Sequence, residues 1–147
     1  MKRAWLIGLL VAATPSSHAA ICHLPSPISD GDAANAIVGE AAACPYLVKL
    51  GIAEALHNRC NDGRWRSHPL RGVYGFHAKH NLTEPPWVWC DARRAWAQSS
   101  IENRKSQIVK GAIFFGNADD VAKGTFAGLT WTVTLGAGRN ATYFFKA

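Results

Sequence analysis

Asn35-Ala36-Ile37-Val38-Gly39-Glu40-Ala41-Ala42-Ala43-Cys44-Pro45 sets a single carboxylate inside an almost wholly apolar run. A glutamate on the exposed side of a helix is the ordinary alternative, but it needs no such neighbours. A general acid does, because apolar surroundings disfavour the anion and raise the carboxyl pKa toward working pH. Glu40 is therefore the first candidate for catalysis. The stretch reads as a helix from about Ala33 to Ala43, with Asp30 or Asp32 as its cap and Pro45 as its stop. Ile37, Ala41 and Cys44 share one face, and Glu40 flanks that stripe, where a cleft-facing acid would sit.

Downstream, Tyr46 to Cys60 carries Leu47, Leu50, Ile52, Ala53, Ala55 and Leu56, the pattern of a strongly apolar second helix. Its polar members are Lys49, Glu54, His57, Asn58 and Arg59, and Glu54 with Asn58 has the spacing of a helix-surface pair. Asn61-Asp62-Gly63 is a turn. Arg64 to Pro86 lacks periodicity and predicts a long loop with short turns at most. Pro85-Pro86 opens a third helix running to about Arg104, in which Trp89, Ala92, Arg93 and Trp96 keep helical spacing. Tryptophans on one helical face belong to a core rather than to a sugar platform. From Gly111 the period changes. Ala112 to Phe115, Thr130 to Leu135 and Ala141 to Phe145 read as strands, the last two joined by a hairpin turn over residues 136–140.

Upstream, Met1 to Ala19 reads as a secretory signal: Lys2 and Arg3, an apolar Trp5–Ala13 core, and Ser17-His18-Ala19 before the cut. An uncleaved anchor is the alternative, yet the run is shorter than the roughly 20 residues that span a bilayer. Residues 20–147 then form one domain with a real core and no stable membrane insertion. Without Lys2 and Arg3, 14 basic and 10 acidic residues remain, a net charge of +4 with His neutral. That excess suits an anionic polymer or membrane surface, while export argues against nucleic acid. Four cysteines, Cys22, Cys44, Cys60 and Cys90, favour two disulfides in an exported chain. Three pairings are possible, and Cys22–Cys44 with Cys60–Cys90 is the preferred set. No CxxC is present, and His57, His68, His77 and His80 lack acidic or thiol partners at ligand spacing, so neither metal nor cofactor is expected. Asn81-Leu82-Thr83 and Asn140-Ala141-Thr142 match glycosylation sequons, relevant only in a eukaryotic host.

The order of these pieces resembles the cell-wall hydrolase family typified by the spore-cortex-lytic enzyme SleB. The Gly-Glu-Ala helix spans Ala34 to Ala41, the Asn-Arg helix end is Glu54-Ala55-Leu56-His57-Asn58-Arg59, and Lys110 to Asn117 looks like the family's GALFFHN strand. Leu135-Gly136 through Tyr143-Phe144-Phe145 looks like its terminal hairpin. The likeness covers nearly the whole exported chain. It departs at Gly75-Phe76, where the family usually has Gln-Phe, and at Asn140, where a histidine is common. These departures touch substrate positioning rather than the acid.

The resemblance implies an α+β, lysozyme-like fold, mostly helical with a small antiparallel β-sheet beside the cleft. It also implies cleavage of the β-1,4 bond between N-acetylmuramic acid and N-acetylglucosamine in peptidoglycan strands, with Glu40 as catalytic acid and base. On the substrate side it points to Asn58, Tyr74, Phe76, Asn117 and Tyr143. Asn58, together with Arg59, has a structural-brace alternative near the cleft, Tyr74 and Phe76 a local-packing one, and Asn117 a turn-forming one. Two other functions compete. A non-catalytic glycan-binding or secretion-assembly module has no reason to keep Glu40 among apolar neighbours. An amidase would need a zinc or cysteine site that the chain does not supply.

Overall fold

The computed structural model describes residues 26–102 and 107–147. The expected signal peptide, residues 1–19, lies outside the described residues, as do Cys22 and the expected end of the third helix at Arg104. Helix α1 spans Asp30–Ala41 and starts earlier than its apolar pattern suggests. Ser29, not an aspartate, is its cap: Ser29 Oγ accepts the Asp32 N–H at 3.1 Å and donates to Asp32 Oδ2 at 2.8 Å. Asp30 and Asp32 instead occupy the first turn, where the helix dipole favours negative charge. Ala33, Ala34, Ala36, Ile37 and Val38 are buried to the last atom.

Helix α2, Tyr46–Asn61, runs through the centre of the molecule, and Pro45 precedes it. It has almost no outer side. Lys49 and Glu54, read as polar-face residues, are 1% and 0% exposed. Lys49 Nζ donates to the carbonyls of Ala42 at 3.2 Å and Cys44 at 2.6 Å, at the end of α1 where helical partners run out. Burial pushes its pKa below the usual lysine value, against the charges of Asp91, Cys44 and Glu84. Glu54 Oε2 accepts the Val109 N–H at 3.1 Å. Asn58 donates to the Ala112 carbonyl at 2.8 Å and exchanges hydrogen bonds with the Gln107 amide. Thus the expected surface pair lies on a face that ties α2 to the segment leading into the sheet.

Helix α3, Pro86–Glu102, packs on α1 and α2 through Val88, Ala92, Ala95 and Trp96. Trp96 is core, as its spacing suggests. Its indole donates to Asp30 Oδ1 at 2.8 Å and stacks on the His57 ring at 3.7 Å. The loop between α2 and α3 contains two 3-10 turns, Tyr74–His77 and Lys79–Thr83, and the first packs against α1.

Strands β1 (Phe114–Gly116), β2 (Thr130–Leu135) and β3 (Thr142–Lys146) form an antiparallel sheet in the order β1-β3-β2. Phe115 faces Phe144 and Thr134 faces Tyr143, with a bulge between Trp131 and Val133. Gly136 opens the β2–β3 hairpin at φ 80°, and a Cβ there would run into the Asn140 carbonyl. Buried Phe144 seats the sheet on α2 at Gly51, where a Cβ would strike the Leu135 and Phe144 side chains. A short helix not foreseen from the pattern, α4 (Ala118–Ala122), follows β1.

The preferred Cys60–Cys90 disulfide is not formed; Cys44, Cys60 and Cys90 are free thiols. Cys60 is buried at the end of α2 with its sulfur 3.7 Å from Ser26 Oγ, whereas Cys90 is exposed on α3. Helical pattern places each cysteine on its helix, but not the direction in which each sulfur points.

Candidate active site

Glu40 stands in the last turn of α1, and a close backbone crossing fixes its surroundings. A Cβ on Gly39 would overlap the Gly75 carbonyl, and one on Gly75 would overlap the Gly39 carbonyl carbon and the Glu40 nitrogen. Only two glycines let the loop come this near. The contact brings the Gly75 N–H to Glu40 Oε1 at 2.7 Å. Two asparagines hold the crossing: Asn35 Nδ2 donates to the Phe76 carbonyl at 2.7 Å, and Asn81 Nδ2 donates to the Gly75 carbonyl at 3.0 Å and Asn35 Oδ1 at 2.8 Å.

Glu40 lines a cavity of about 260 Å³ whose other walls include Arg59, Trp65, Tyr74, Phe114, Phe115, Asp120 and Phe126. Burial raises the Glu40 pKa above the ordinary value of 4.5, and the negative charge of Asp120 raises it further. The Gly75 N–H and the Arg59 charge pull the other way. The net effect is the one a proton donor needs.

Arg59 forms part of the wall by being immobilised. Its Nε donates to the Ile113 carbonyl at 2.5 Å, and one Nη donates to the carbonyls of Pro69 and Arg71 at 3.0 and 3.1 Å. The guanidinium lies 4.9 Å from the Trp65 ring and 5.5 Å from that of Phe115. Burial pushes its pKa down to about 10, against the opposing charges of Glu40 and Cys60. Arg59 thereby joins α2, the loop and the sheet around the cavity while leaving a positive charge near the acid.

The structure brings Glu40 and Tyr74 into this one cavity, with Tyr74 88% exposed at its rim. Phe76 lines an adjoining pocket instead and packs edge-on against His77 at 4.7 Å. Asn58 is engaged with Gln107 and Ala112. Asn117 caps α4 by accepting the Asp120 N–H at 3.0 Å, while Asp120 Oδ2 accepts the Asn117 N–H at 3.1 Å. Tyr143 lies in β3 opposite Gly116 and Thr134. Asn58, Asn117 and Tyr143 do not line the Glu40 cavity. Asp120, Trp65 and Phe126 do, and the sequence reading did not single them out. The Asn117-Ala118-Asp119-Asp120 spacing is a helix-start signal that could have found α4 and so Asp120. Phe126 is held by stacking on Phe145 at 4.5 Å and by Gly116, where a Cβ would meet its ring at 2.6 Å.

Among the described residues, no group of three or more His, Cys, Asp or Glu is placed to hold a metal ion. Nor is any described helix long and apolar enough to cross a membrane.

Three long helices with a small three-stranded antiparallel sheet beside an acid-bearing cavity make the fold of the SleB catalytic domain. The catalytic domain of the germination-specific lytic transglycosylase SleB from Bacillus anthracis superposes with a TM-score of 0.56 at 18% identity, covering 84% of this chain and all of that one. The catalytic domain of the Bacillus cereus SleB protein gives a TM-score of 0.57 at 18% identity, covering 84% and 95%. No family model and no curated protein matches the sequence.

Proposed function

We propose that this chain is an exported enzyme, acting in the periplasm or cell wall, that cleaves the β-1,4 bond between N-acetylmuramic acid and N-acetylglucosamine in peptidoglycan. The observation that carries the reading is Glu40, a desolvated carboxyl with a raised pKa in an aromatic-walled cavity, on the fold of a lytic transglycosylase domain. The Gly75 N–H at Oε1 makes that oxygen the acceptor and leaves Oε2 to carry the proton. Protonated Glu40 gives that proton to the glycosidic oxygen as the bond to the muramyl anomeric carbon breaks. The resulting carboxylate then takes the proton of the muramyl 6-hydroxyl while that oxygen closes a 1,6-anhydro ring. Glu40 ends protonated, ready for another turn, and no water is consumed. Asp120 contributes negative charge near a ring that becomes cationic in the transition state. Trp65, Tyr74 and Phe126 supply faces for sugar rings, and no cofactor enters the scheme.

The test is mass spectrometry of purified peptidoglycan incubated with the parent chain and with Glu40→Gln. We expect 1,6-anhydro muropeptides from the parent and none from the variant. Reducing-end products lost in the variant would keep Glu40 and make the reaction hydrolysis. If neither protein releases fragments while both pellet with the wall, the enzyme reading falls and a glycan-binding module replaces it.

A further inference from the structure

A second pocket, of about 560 Å³, opens beside the Glu40 cavity and shares Arg71 with it. Its lining includes Ile28, Asp32, His68, Arg71, Phe76 and His77. The two sites differ in chemistry. The Glu40 cavity has Trp65, Tyr74, Phe114, Phe115 and Phe126 for sugar faces, whereas the second pocket has one phenyl ring among cationic, imidazole and carboxylate groups.

We propose that this pocket takes the short peptide branching from the muramyl sugar, an assignment that rests on the glycan-cleaving reading of the Glu40 cavity. Such a peptide carries free carboxylates and, in many walls, an amine on its third residue. Arg71 is a permanent cation suited to a carboxylate, and Asp32 is an anion suited to the amine. His68 and His77 add hydrogen-bonding edges, and Pro27, Ile28 and Leu70 give an apolar floor for alanyl methyls. The reach is right. Asp32 precedes Glu40 by eight residues on α1, about 12 Å along a helix. An extended peptide advances about 3.5 Å per residue, so three or four residues cover that span. Further sugar units are the competing occupant, but they would meet one aromatic face where the neighbouring cavity offers five.

The probes are a muropeptide disaccharide bearing a tripeptide with the diamino acid, and the same disaccharide without peptide. Each is titrated by calorimetry into full-length Glu40→Gln protein, which cannot turn either over on the present reading. The peptide-bearing probe is expected to bind about tenfold more tightly. His77→Ala and Asp32→Asn, added singly, should bring that preference toward one, with circular dichroism showing the fold intact. Equal affinity for the two probes overturns the assignment. So does a preference that both variants leave unchanged, which would place the peptide elsewhere. Glycan cleavage by the parent alongside equal affinities keeps the cavity reading and removes the pocket. A preference lost in the variants without any cleavage by the parent keeps the pocket and removes the cavity reading.

Discussion

Two glutamates fourteen positions apart, Glu40 and Glu54, are put to opposite uses. Glu54 lies wholly inside, on the central helix, and spends Oε2 on the Val109 N–H. Together with Asn58 it stitches α2 to the segment entering the sheet. Glu40 is half-buried at the end of α1, takes one backbone N–H, and still borders a cavity. A carboxyl enclosed by partners serves structure. One desolvated by its surroundings but open on one side can still meet a ligand, as the acid of the proposed reaction must. The difference is made by the neighbouring backbone rather than by the residue itself: segment 107–112 closes over Glu54, while the glycine crossing at Gly75 leaves Glu40 reachable.

The largest effects should separate the pair. Glu40→Gln is expected to lower glycan cleavage about 10³-fold with the fold retained, read by the rate of muropeptide release. Glu54→Ala should do the reverse. Loss of a buried acceptor and the void left behind should reduce unfolding stability by about 3 kcal/mol in urea titration, with cleavage per folded molecule close to the parent. If Glu54→Ala stops cleavage in a fully folded protein, the division of labour is wrong.

The glycine crossing comes next. Gly39→Ala forces a Cβ into the Gly75 carbonyl, so the loop must retreat and take its N–H away from Glu40. We expect cleavage to fall about tenfold to a hundredfold, with a stability loss of about 2 kcal/mol. Gly31→Ala, at an exposed position in the first turn where the nearest atom to a Cβ is 3.9 Å away, is the control and should change neither. Cleavage surviving in Gly39→Ala would mean that the Gly75 contact does not orient the acid.

How much of this could be read from the chain depends on whether the signal is local. The 3.6-residue pattern of Tyr46 to Cys60 and the alternation of Thr130 to Leu135 are written within each segment, and the elements form there, the helix running one residue further to Asn61. The apolar run around Glu40 likewise marks an acid near a buried stripe. Glu54 and Lys49 looked like surface residues because helical spacing says which side of α2 they share, and not that other elements cover every side. Their partners, Val109 and the carbonyls at Ala42 and Cys44, depend on how the chain returns on itself. Arg59 reads as a brace, and it is one, but its place in the cavity wall requires Trp65 and Phe115 to converge from a loop and a strand. Cys60 and Cys90 show the same limit. Counting cysteines says that a pair is possible, while only their directions say whether it forms.

Asp120 offers a finer contrast, since it is the negatively charged neighbour that Glu40 has in its cavity. Its negative charge helps keep the acid protonated. Asp120→Asn removes that charge but keeps an oxygen to accept the Asn117 N–H, so α4 stays capped. The Glu40 pKa should fall, and the alkaline limb of the kcat/KM profile should move to lower pH, costing a few-fold in rate on that side. An unmoved limb in a folded variant would detach Asp120 from the acid.

The smallest effect concerns the stability contribution of Glu40 itself. Because burial raises the Glu40 pKa above 4.5, ionising it costs the folded state more than the unfolded one. Its favourable contribution is complete below the unfolded value and is lost as pH rises through the higher folded value. Glu40→Gln carries no such penalty, and its amide oxygen can still accept the Gly75 N–H. By calorimetry, the variant should therefore melt about 2 °C above the parent near neutral pH, with the gap closing toward about pH 4. A gap that stays constant across that range would show that Glu40 ionises alike in the folded and unfolded chains. The cavity would then be too wet to keep a proton on the acid, and Glu40 would lose the property that sets it apart from an ordinary surface glutamate.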